Sequence, residues 1–269
     1  MSKVWFITGA SRGFGRVWAE AALERGDKVV ATARKLESLG DLKERFGDSV
    51  LPLELDVTNA VRVPVVVREA FEHFGRVDVL LNNAGYSLIA TTEEATDEQI
   101  ANLFDANYTG VVRVLRAALP LMRQQGGGHI LGVTSSVGVV PAPFIGVYSA
   151  TKAAAEALHE ALAKEVAQFG IKVTMIEPGA YATEFGKSAT RANTLEVYDT
   201  LRKDFIGTLM KLERGNPKAT GEAILKVVDA PEPPLRLILG STALPEIRST
   251  YADRLATWDA WKAVSDSAQ

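Results

Sequence analysis

Apolar runs that recur between amphipathic stretches constrain this chain more than any other feature of its sequence. They cover Val4 to Ile7, Lys28 to Thr32, Val50 to Leu55, Val77 to Leu81, His129 to Thr134, Ile171 to Ile176 and Leu235 to Leu239. Runs this short and this continuously apolar suit strands buried on both faces, as the strands of a parallel sheet are. The segments between them repeat apolar residues at helical spacing. Strands alternating with helices through right-handed crossovers give a doubly wound sheet. The expected class is α/β: a Rossmann-like, doubly wound parallel sheet of about seven strands, flanked by helices, in a single domain over 1–269. No internal repeat, low-complexity tract or Gly/Ser linker marks a boundary inside it.

Local signals place some of the helices. Thr96 followed three residues later by Gln99 makes a capping box, and a long helix is expected from there toward Met122. A second long helix is expected from Tyr148 to Phe169. Pro64 lies inside the otherwise helical stretch from Asn59 to Phe74, so that helix starts late or loses a hydrogen bond in its first turn. Residues 184–214 lack strand character and are too long for a simple connection, which marks them as a substrate lid, partly helical. Pro231 to Pro234 forms a rigid turn before the last strand. A helical extension is expected over about 243–265, with Leu244, Ile247, Tyr251, Leu255, Trp258 and Trp261 at helical spacing.

Composition removes several classes of function. The 30 basic and 33 acidic residues are mixed along the chain, for a net charge of −3, so there is no basic stripe for nucleic acid or an anionic membrane. With no cysteine and three histidines that form no ligand spacing, no metal site is expected. Met1-Ser2-Lys3 leads into an apolar run too short for a signal peptide or a membrane span, which reads as cytoplasmic.

Three clusters carry chemistry. Directly after the first run comes Thr8-Gly9-Ala10-Ser11-Arg12-Gly13-Phe14-Gly15, then a helical pattern. Glycines permit a tight strand-to-helix turn, and free N–H groups at the helix start meet a pyrophosphate. Asn82-Asn83-Ala84-Gly85 closes the fourth run; the small Ala-Gly pair lets a cofactor approach the strand end, though alone it also fits a plain turn. Thr134-Ser135-Ser136 closes the fifth run, and Tyr148 and Lys152 follow four residues apart, on one face of a helix. By itself that pair also fits an ordinary helix surface.

In this order, the Thr8 to Gly15 turn, Asn82 to Gly85, Ser135, and Tyr148 with Lys152 resemble the compact branch of the short-chain dehydrogenase/reductase family, over nearly the whole chain. The resemblance implies Tyr148 as general acid/base, Lys152 as its activator and a ribose contact, Ser135 as the carbonyl holder and Asn107 as a water-relay residue. For the cofactor it implies Gly9, Ser11, Arg12, Gly13, Phe14, Gly15, Arg34, Asp56, Val57, Asn83, Ala84, Gly85, Tyr148, Lys152, Pro178, Gly179 and Thr183. Asp56 would meet the adenine amino group and Thr183 the nicotinamide carboxamide. Each has a plainer alternative: Asp56 as a turn residue, Thr183 as a helix cap and Asn107 as a solvent-facing polar residue.

The expected reaction is hydride transfer between NADP(H) and an alcohol or carbonyl compound. A cation beside the phenol favours phenolate, so Lys152 is expected to lower the tyrosine pKa. Arg12 and Arg34 supply positive charge where the adenosine ribose should reach, and Ala33 stands where enzymes using NAD place an acid. That pattern selects NADP(H). The apolar residues of 184–214 suggest a medium or large apolar substrate. A homodimer or homotetramer, associating through the two long helices, is what the resemblance implies. The alternatives are a non-catalytic NADP(H)-binding regulatory protein, or a dehydratase or epimerase using the same Tyr and Lys. The first sits poorly with four filled catalytic positions. The second would need a longer sugar-nucleotide domain.

Overall fold

The computed structural model describes residues 2–186 and 188–269, so that Met1 and, in the expected lid, Lys187 lie outside the described residues. The strands are β1 (Val4–Ile7), β2 (Lys28–Ala33), β3 (Val50–Glu54), β4 (Val79–Asn82), β5 (Leu88–Ile89), β6 (Gly128–Val133), β7 (Ile171–Pro178), β8 (Thr190–Arg191) and β9 (Arg236–Leu239). Seven of them form a parallel sheet in the order β3-β2-β1-β4-β6-β7-β9. The chain winds outward from β1 through β2 and β3, then returns to β4 on the other side. That reversal opens a crevice at the carboxyl ends of β1 and β4.

The helices are α1 (Gly13–Glu24), α2 (Gly40–Phe46), α3 (Arg62–Phe74), α4 (Asp97–Phe104), α5 (Gly110–Gln124), α6 (Gly146–Val166), α7 (Asp199–Lys211), α8 (Thr220–Asp229), α9 (Ala243–Ala260) and α10 (Lys262–Asp266). They cover both sheet faces. Val4 and Phe6 of β1 point to the side of α3, α5 and α6, where Val66, Val114 and Leu162 meet them. Trp5 and Ile7 point the other way, into a core with Trp18 and Ala22 of α1 and Ile224 of α8. Alternate residues therefore serve two cores, and this is why the runs show no polar alternation. The polar edge of each deep Trp finds a partner: Trp18 Nε1 donates to Thr220 Oγ1 at 2.7 Å and Trp5 Nε1 to Asp27 Oδ2 at 2.8 Å.

The local expectations fare differently against the structure. The capping box is there, with Thr96 Oγ1 accepting from Gln99 N at 3.2 Å and Gln99 Oε1 from Thr96 N at 3.1 Å. The long helix it starts is not uniform: a π-turn over Asp105–Thr109 separates α4 from α5. One widened turn barely disturbs apolar periodicity, so the sequence pattern does not reveal it. The helix around Pro64 does start late, at Arg62, with Asn59 Oδ1 accepting from the amides of Val61 and Arg62. Pro64 then falls in the first turn, where an amide has no intrahelical partner to lose.

The 184–214 segment does hold a strand, contrary to expectation: β8 pairs in parallel with β5, Leu88 with Thr190 and Ile89 with Arg191. Two-residue strands are too short to leave a periodic signal. The rest of the segment carries α7, as its helical part. At the C-terminus α9 and α10 cover the expected extension, but of α9 only Ala243 and Ile247 are buried; Tyr251, Leu255, Trp258 and Trp261 are exposed.

Candidate active site

The crevice is built from backbone outward. Gly9 and Gly13 adopt φ of 70° and 59°, values that favour glycine, and turn the chain from β1 into α1. Gly15 is needed for a different reason: a Cβ there would lie 2.4 Å from both Gly9 O and Asn83 Nδ2. The turn after β4 is stitched to it. Thr8 Oγ1 accepts from Asn83 N at 2.9 Å and Ala84 N at 3.0 Å, and Asn83 Nδ2 donates to Thr8 O at 2.9 Å and Gly9 O at 3.0 Å. No side chain caps α1 and its first turn holds no acid, so its leading amides remain available to an anionic group.

A cavity of about 750 Å³ opens over this floor. Gly9, Ser11, Arg12, Gly13 and Phe14 line it from the first turn, Arg34 from the end of β2, Asp56 and Val57 from after β3, and Asn83, Ala84 and Gly85 from after β4. Ser135, Tyr148, Lys152, Pro178, Gly179 and Thr183 line the other end. Two expected site residues stand behind the lining. Gly15 serves the close approach just described. Asn107, in the π-turn, is 1% exposed, and its side chain braces the wall. Its Oδ1 accepts from Tyr86 N at 3.0 Å, while Nδ2 donates to Tyr86 O at 2.9 Å and Thr151 Oγ1 at 3.1 Å.

Thr151 passes that brace on to α6, donating to Tyr148 O at 2.7 Å. The Tyr148 ring lies 5.6 Å from the Phe185 ring and is buried. Lys152 Nζ donates to Val133 O at 2.8 Å and sits 5.8 Å from the centre of the Tyr148 ring. Ser135 Oγ accepts from Val137 N at 3.4 Å and reaches Pro178 O at 3.5 Å. The electrostatics correct one expectation. Burial raises the Tyr148 pKa above the usual phenol value, and a hydrogen bond with Ser135 offsets only part of that rise. Burial also pushes Lys152 down to about 8, against the charge of Glu156. Burial therefore sets the direction of the Tyr148 shift, and in this state the phenol is a proton donor.

The plainer alternative for Asp56, a turn residue, coexists with its place on the cavity wall, whereas Thr183 caps no helix, the next helical turn among the described residues starting at Glu196. Asp56 Oδ1 accepts from Thr58 N at 2.9 Å and Thr58 Oγ1 at 2.8 Å, a turn of the usual kind. Thr183 Oγ1 accepts from Phe185 N at 3.4 Å. Both remain exposed to the cavity through their other atoms or faces.

Sequence reasoning missed what ties residues 184–214 to the body. Glu94, whose side chain is 1% exposed, accepts from Thr91 N and Leu195 N at 2.9 and 2.8 Å and from Arg202 Nη2 at 2.5 Å. Burial pushes its carboxyl up, but these donors more than offset that and hold it at about 2. The Arg202 guanidinium also lies 4.9 Å from the centre of the buried Phe144 ring, whose other neighbour, Phe205 of α7, is at 5.3 Å. In sequence Glu93-Glu94 looks like solvated charge, and only its three-residue step from Thr91 hints at a local turn.

The sequence profile of a family described as short chain dehydrogenase matches residues 3–194. The chain belongs to the short-chain dehydrogenase/reductase family. Within that family it is 42% identical over 271 residues to "Oxidoreductase BOA17" of Botryotinia fuckeliana, covering 98% of each chain. It is 35% identical over 244 residues to a 3-ketodihydrosphingosine reductase of Bacteroides thetaiotaomicron, with 88% of each covered. Among solved structures, a short-chain dehydrogenase from Streptomyces avermitilis superposes with a TM-score of 0.92 at 39% identity, over 100% of this chain and 98% of that one. One from Burkholderia cenocepacia, in complex with NADP, gives 0.78 at 28% identity over 96% and 97%. This short-chain dehydrogenase/reductase is thus an oxidoreductase with the seven-stranded Rossmann-like fold of its relatives. Its α7, β9 and C-terminal helices lie beyond the matched 3–194. No helix among the described residues is long and apolar enough to cross a membrane.

Proposed function

We propose that the protein is an NADP(H)-dependent carbonyl reductase and alcohol dehydrogenase acting on a medium or large apolar ketone or the matching secondary alcohol. The observation that carries this reading is the convergence of Ser135, Tyr148 and Lys152 on one end of a cavity whose other end is the Gly-rich turn. A nicotinamide dinucleotide fits the residues present. Its diphosphate would lie on the uncapped start of α1, where the absent Cβ of Gly15 brings the turns together. Its ribose would lie within reach of Lys152, and Thr183 would hold the carboxamide.

The chemistry such a cofactor supplies when bound is a hydride at carbon. The protein's share is the proton and the charge. Tyr148, protonated because it is buried, gives its hydrogen to the carbonyl oxygen on reduction and takes it back on oxidation. Ser135 donates a hydrogen bond to that oxygen, where negative charge develops. Lys152 keeps positive charge near the phenol as the proton leaves. Asn107, buried behind the cavity lining, positions the helix that carries Tyr148 through Tyr86 and Thr151, and the water-relay role would be exercised from there.

The substrate class rests on the wall facing Tyr148, where Ile89, Val137, Ile145, Phe185, Phe205 and Leu209 present apolar surface. Residues 184–214 form the lid over it. A relative named for reduction of a ketone on a long-chain base supports the same class. Purified protein with NADPH, tested against ketones of increasing apolar length while reduced nicotinamide is followed by absorbance, is expected to show kcat/KM rising with chain length. Best turnover with small polar ketones would overturn the substrate class, and no turnover with any carbonyl compound would overturn the reaction.

The same reading makes the protein a cytoplasmic homodimer or homotetramer built on the faces of α5 and α6. Light scattering at micromolar concentration is expected to return two or four times 29.0 kDa. A monomer would remove it.

A further inference from the structure

Beneath Tyr148 and Lys152 lies a buried charge cluster that the proposed chemistry leaves without a task. Tyr148, Lys152, Glu156 and Glu160 follow at four-residue steps along α6 and share a face. Glu156 is 6% exposed, and Glu177, near the end of β7, 1%. Arg236 of β9 joins them: Nη1 donates to Glu177 Oε1 at 2.8 Å and Glu156 Oε2 at 3.2 Å, and Nη2 to Glu160 Oε2 at 2.7 Å.

The second oxygen of Glu156 has no hydrogen-bond partner. It lies against Gly138, where an added Cβ would come within 2.3 Å of it. Gly138 ends the short turn Ser136–Gly138 that Ser135 caps. Glu177, for its part, precedes Pro178, whose carbonyl meets Ser135. One carboxylate thus abuts the helix of Tyr148, the turn of Ser135 and, through Arg236, the strand end behind both.

The charges decide what it does there. Glu160 is on the rim, with a side chain 44% exposed, which leaves two buried carboxylates facing one guanidinium. A buried charge without a countercharge is costly, so the second carboxyl either takes up a proton or shares the site with a second cation. His159 does not supply it, because burial lowers its pKa and its Nδ1 is engaged with Ala155 O at 2.7 Å. The Ser136–Gly138 turn and the adjoining Gly132 and Val133 of β6 bring no titratable group. Lys152, one helical turn away on the same face though in no direct ion pair with Glu156, remains.

We propose that Glu156 is the buried counter-ion of Lys152, a positioning residue that keeps the lysine charged and ties that charge to the turn carrying Ser135. This rests on the reading of Lys152 as the cation of the hydride-transfer site. The proton equilibria agree with it. Burial, then Glu177, pushes Glu156 up to about 7, while Lys152 pulls it back; burial pushes Lys152 down to about 8, while Glu156 pulls it back. With Glu156 neutralised, Lys152 should release its proton at lower pH.

The test compares the native protein with Glu156→Gln, Glu156→Asp and Glu177→Gln between pH 6 and 10. The rate of reductive methylation of Lys152, read by peptide mass, reports the neutral amine directly and needs no turnover. The midpoint is expected to fall by about one pH unit in Glu156→Gln, a tenfold weaker hold on the proton, and to return toward native in Glu156→Asp. The alkaline limb of kcat/KM for ketone reduction should move down with it. Glu177→Gln keeps the Glu156 carboxylate and should show no fall, which preserves the test if Glu156→Gln does not fold. An unmoved midpoint in folded Glu156→Gln, or an equal fall in Glu177→Gln, would overturn the assignment. Absence of turnover in the native protein would instead overturn the reaction, with the methylation midpoints still deciding the counter-ion.

Discussion

Replacing Tyr148 by Phe is expected to lower kcat by roughly 10²- to 10⁴-fold while leaving cofactor affinity nearly unchanged, because it deletes the proton donor and little volume. The ring's packing against Phe185 survives the change, and so do the Thr151 bond to the Tyr148 carbonyl and the brace from Asn107, since these involve backbone or other residues. What is lost is the hydroxyl and its bond with Ser135. Lys152→Ala should behave differently, damaging turnover and cofactor affinity together, since Lys152 is assigned to both the phenol and the ribose. Stopped-flow turnover with fluorescence titration of NADPH separates the two patterns. Near-normal turnover in Tyr148→Phe would refute the proposed proton path.

The second large effect concerns the choice of cofactor. Arg12 and Arg34 are exposed on the cavity rim and make no ion pair among the described residues, so both guanidinium groups are available to a 2′-phosphate. Ala33, at the end of β2 and 5% exposed, leaves room where a carboxylate would repel that phosphate. A charge-assisted contact contributes roughly 1.5–3 kcal/mol, so two of them shift preference toward NADP(H) by on the order of a hundredfold or more. The double variant Ala33→Asp, Arg34→Leu is expected to lose most of that preference and to gain efficiency with NAD(H). The ratio of kcat/KM for the two cofactors in both proteins decides the matter: equal efficiency in the native protein, or an unchanged ratio in the variant, refutes the assignment.

Much of this architecture was readable from sequence because its signals are dense and redundant. Strands buried on both sides must be continuously apolar, so each of the seven appeared as a run, and the glycines of the first turn have no substitute at their φ or spacing. That Ser135, Tyr148 and Lys152 would meet the Gly-rich turn on one cavity was readable too, because all of them follow strand ends on one side of such a sheet. Four things were not readable. The π-turn at Asn107 costs only one residue of register, which periodicity tolerates. The β5–β8 pair is two residues long and joins segments a hundred residues apart. The direction of the Tyr148 and Lys152 shifts depends on how deeply each is buried, a property of packing that residue identity does not carry. Glu156, Glu177 and Arg236 come from three separate elements, so their encounter has no local signature.

The bonds that fasten residues 184–214 through Glu94 differ from Lys152 and Glu156 in how they answer to acid. A carboxyl held at about 2 in the folded protein, against an ordinary value of 4.5, adds stability that is fully present above about pH 4.5 and is lost only as pH falls through about 2. Lys152 and Glu156 exchange protons near neutrality, several decades of proton concentration away. Over the range in which Lys152 and Glu156 change their protonation, Glu94 therefore keeps one charge state. Acidity can therefore shift the charges at Lys152 and Glu156 without loosening the Glu94 contacts that hold residues 184–214 to the body.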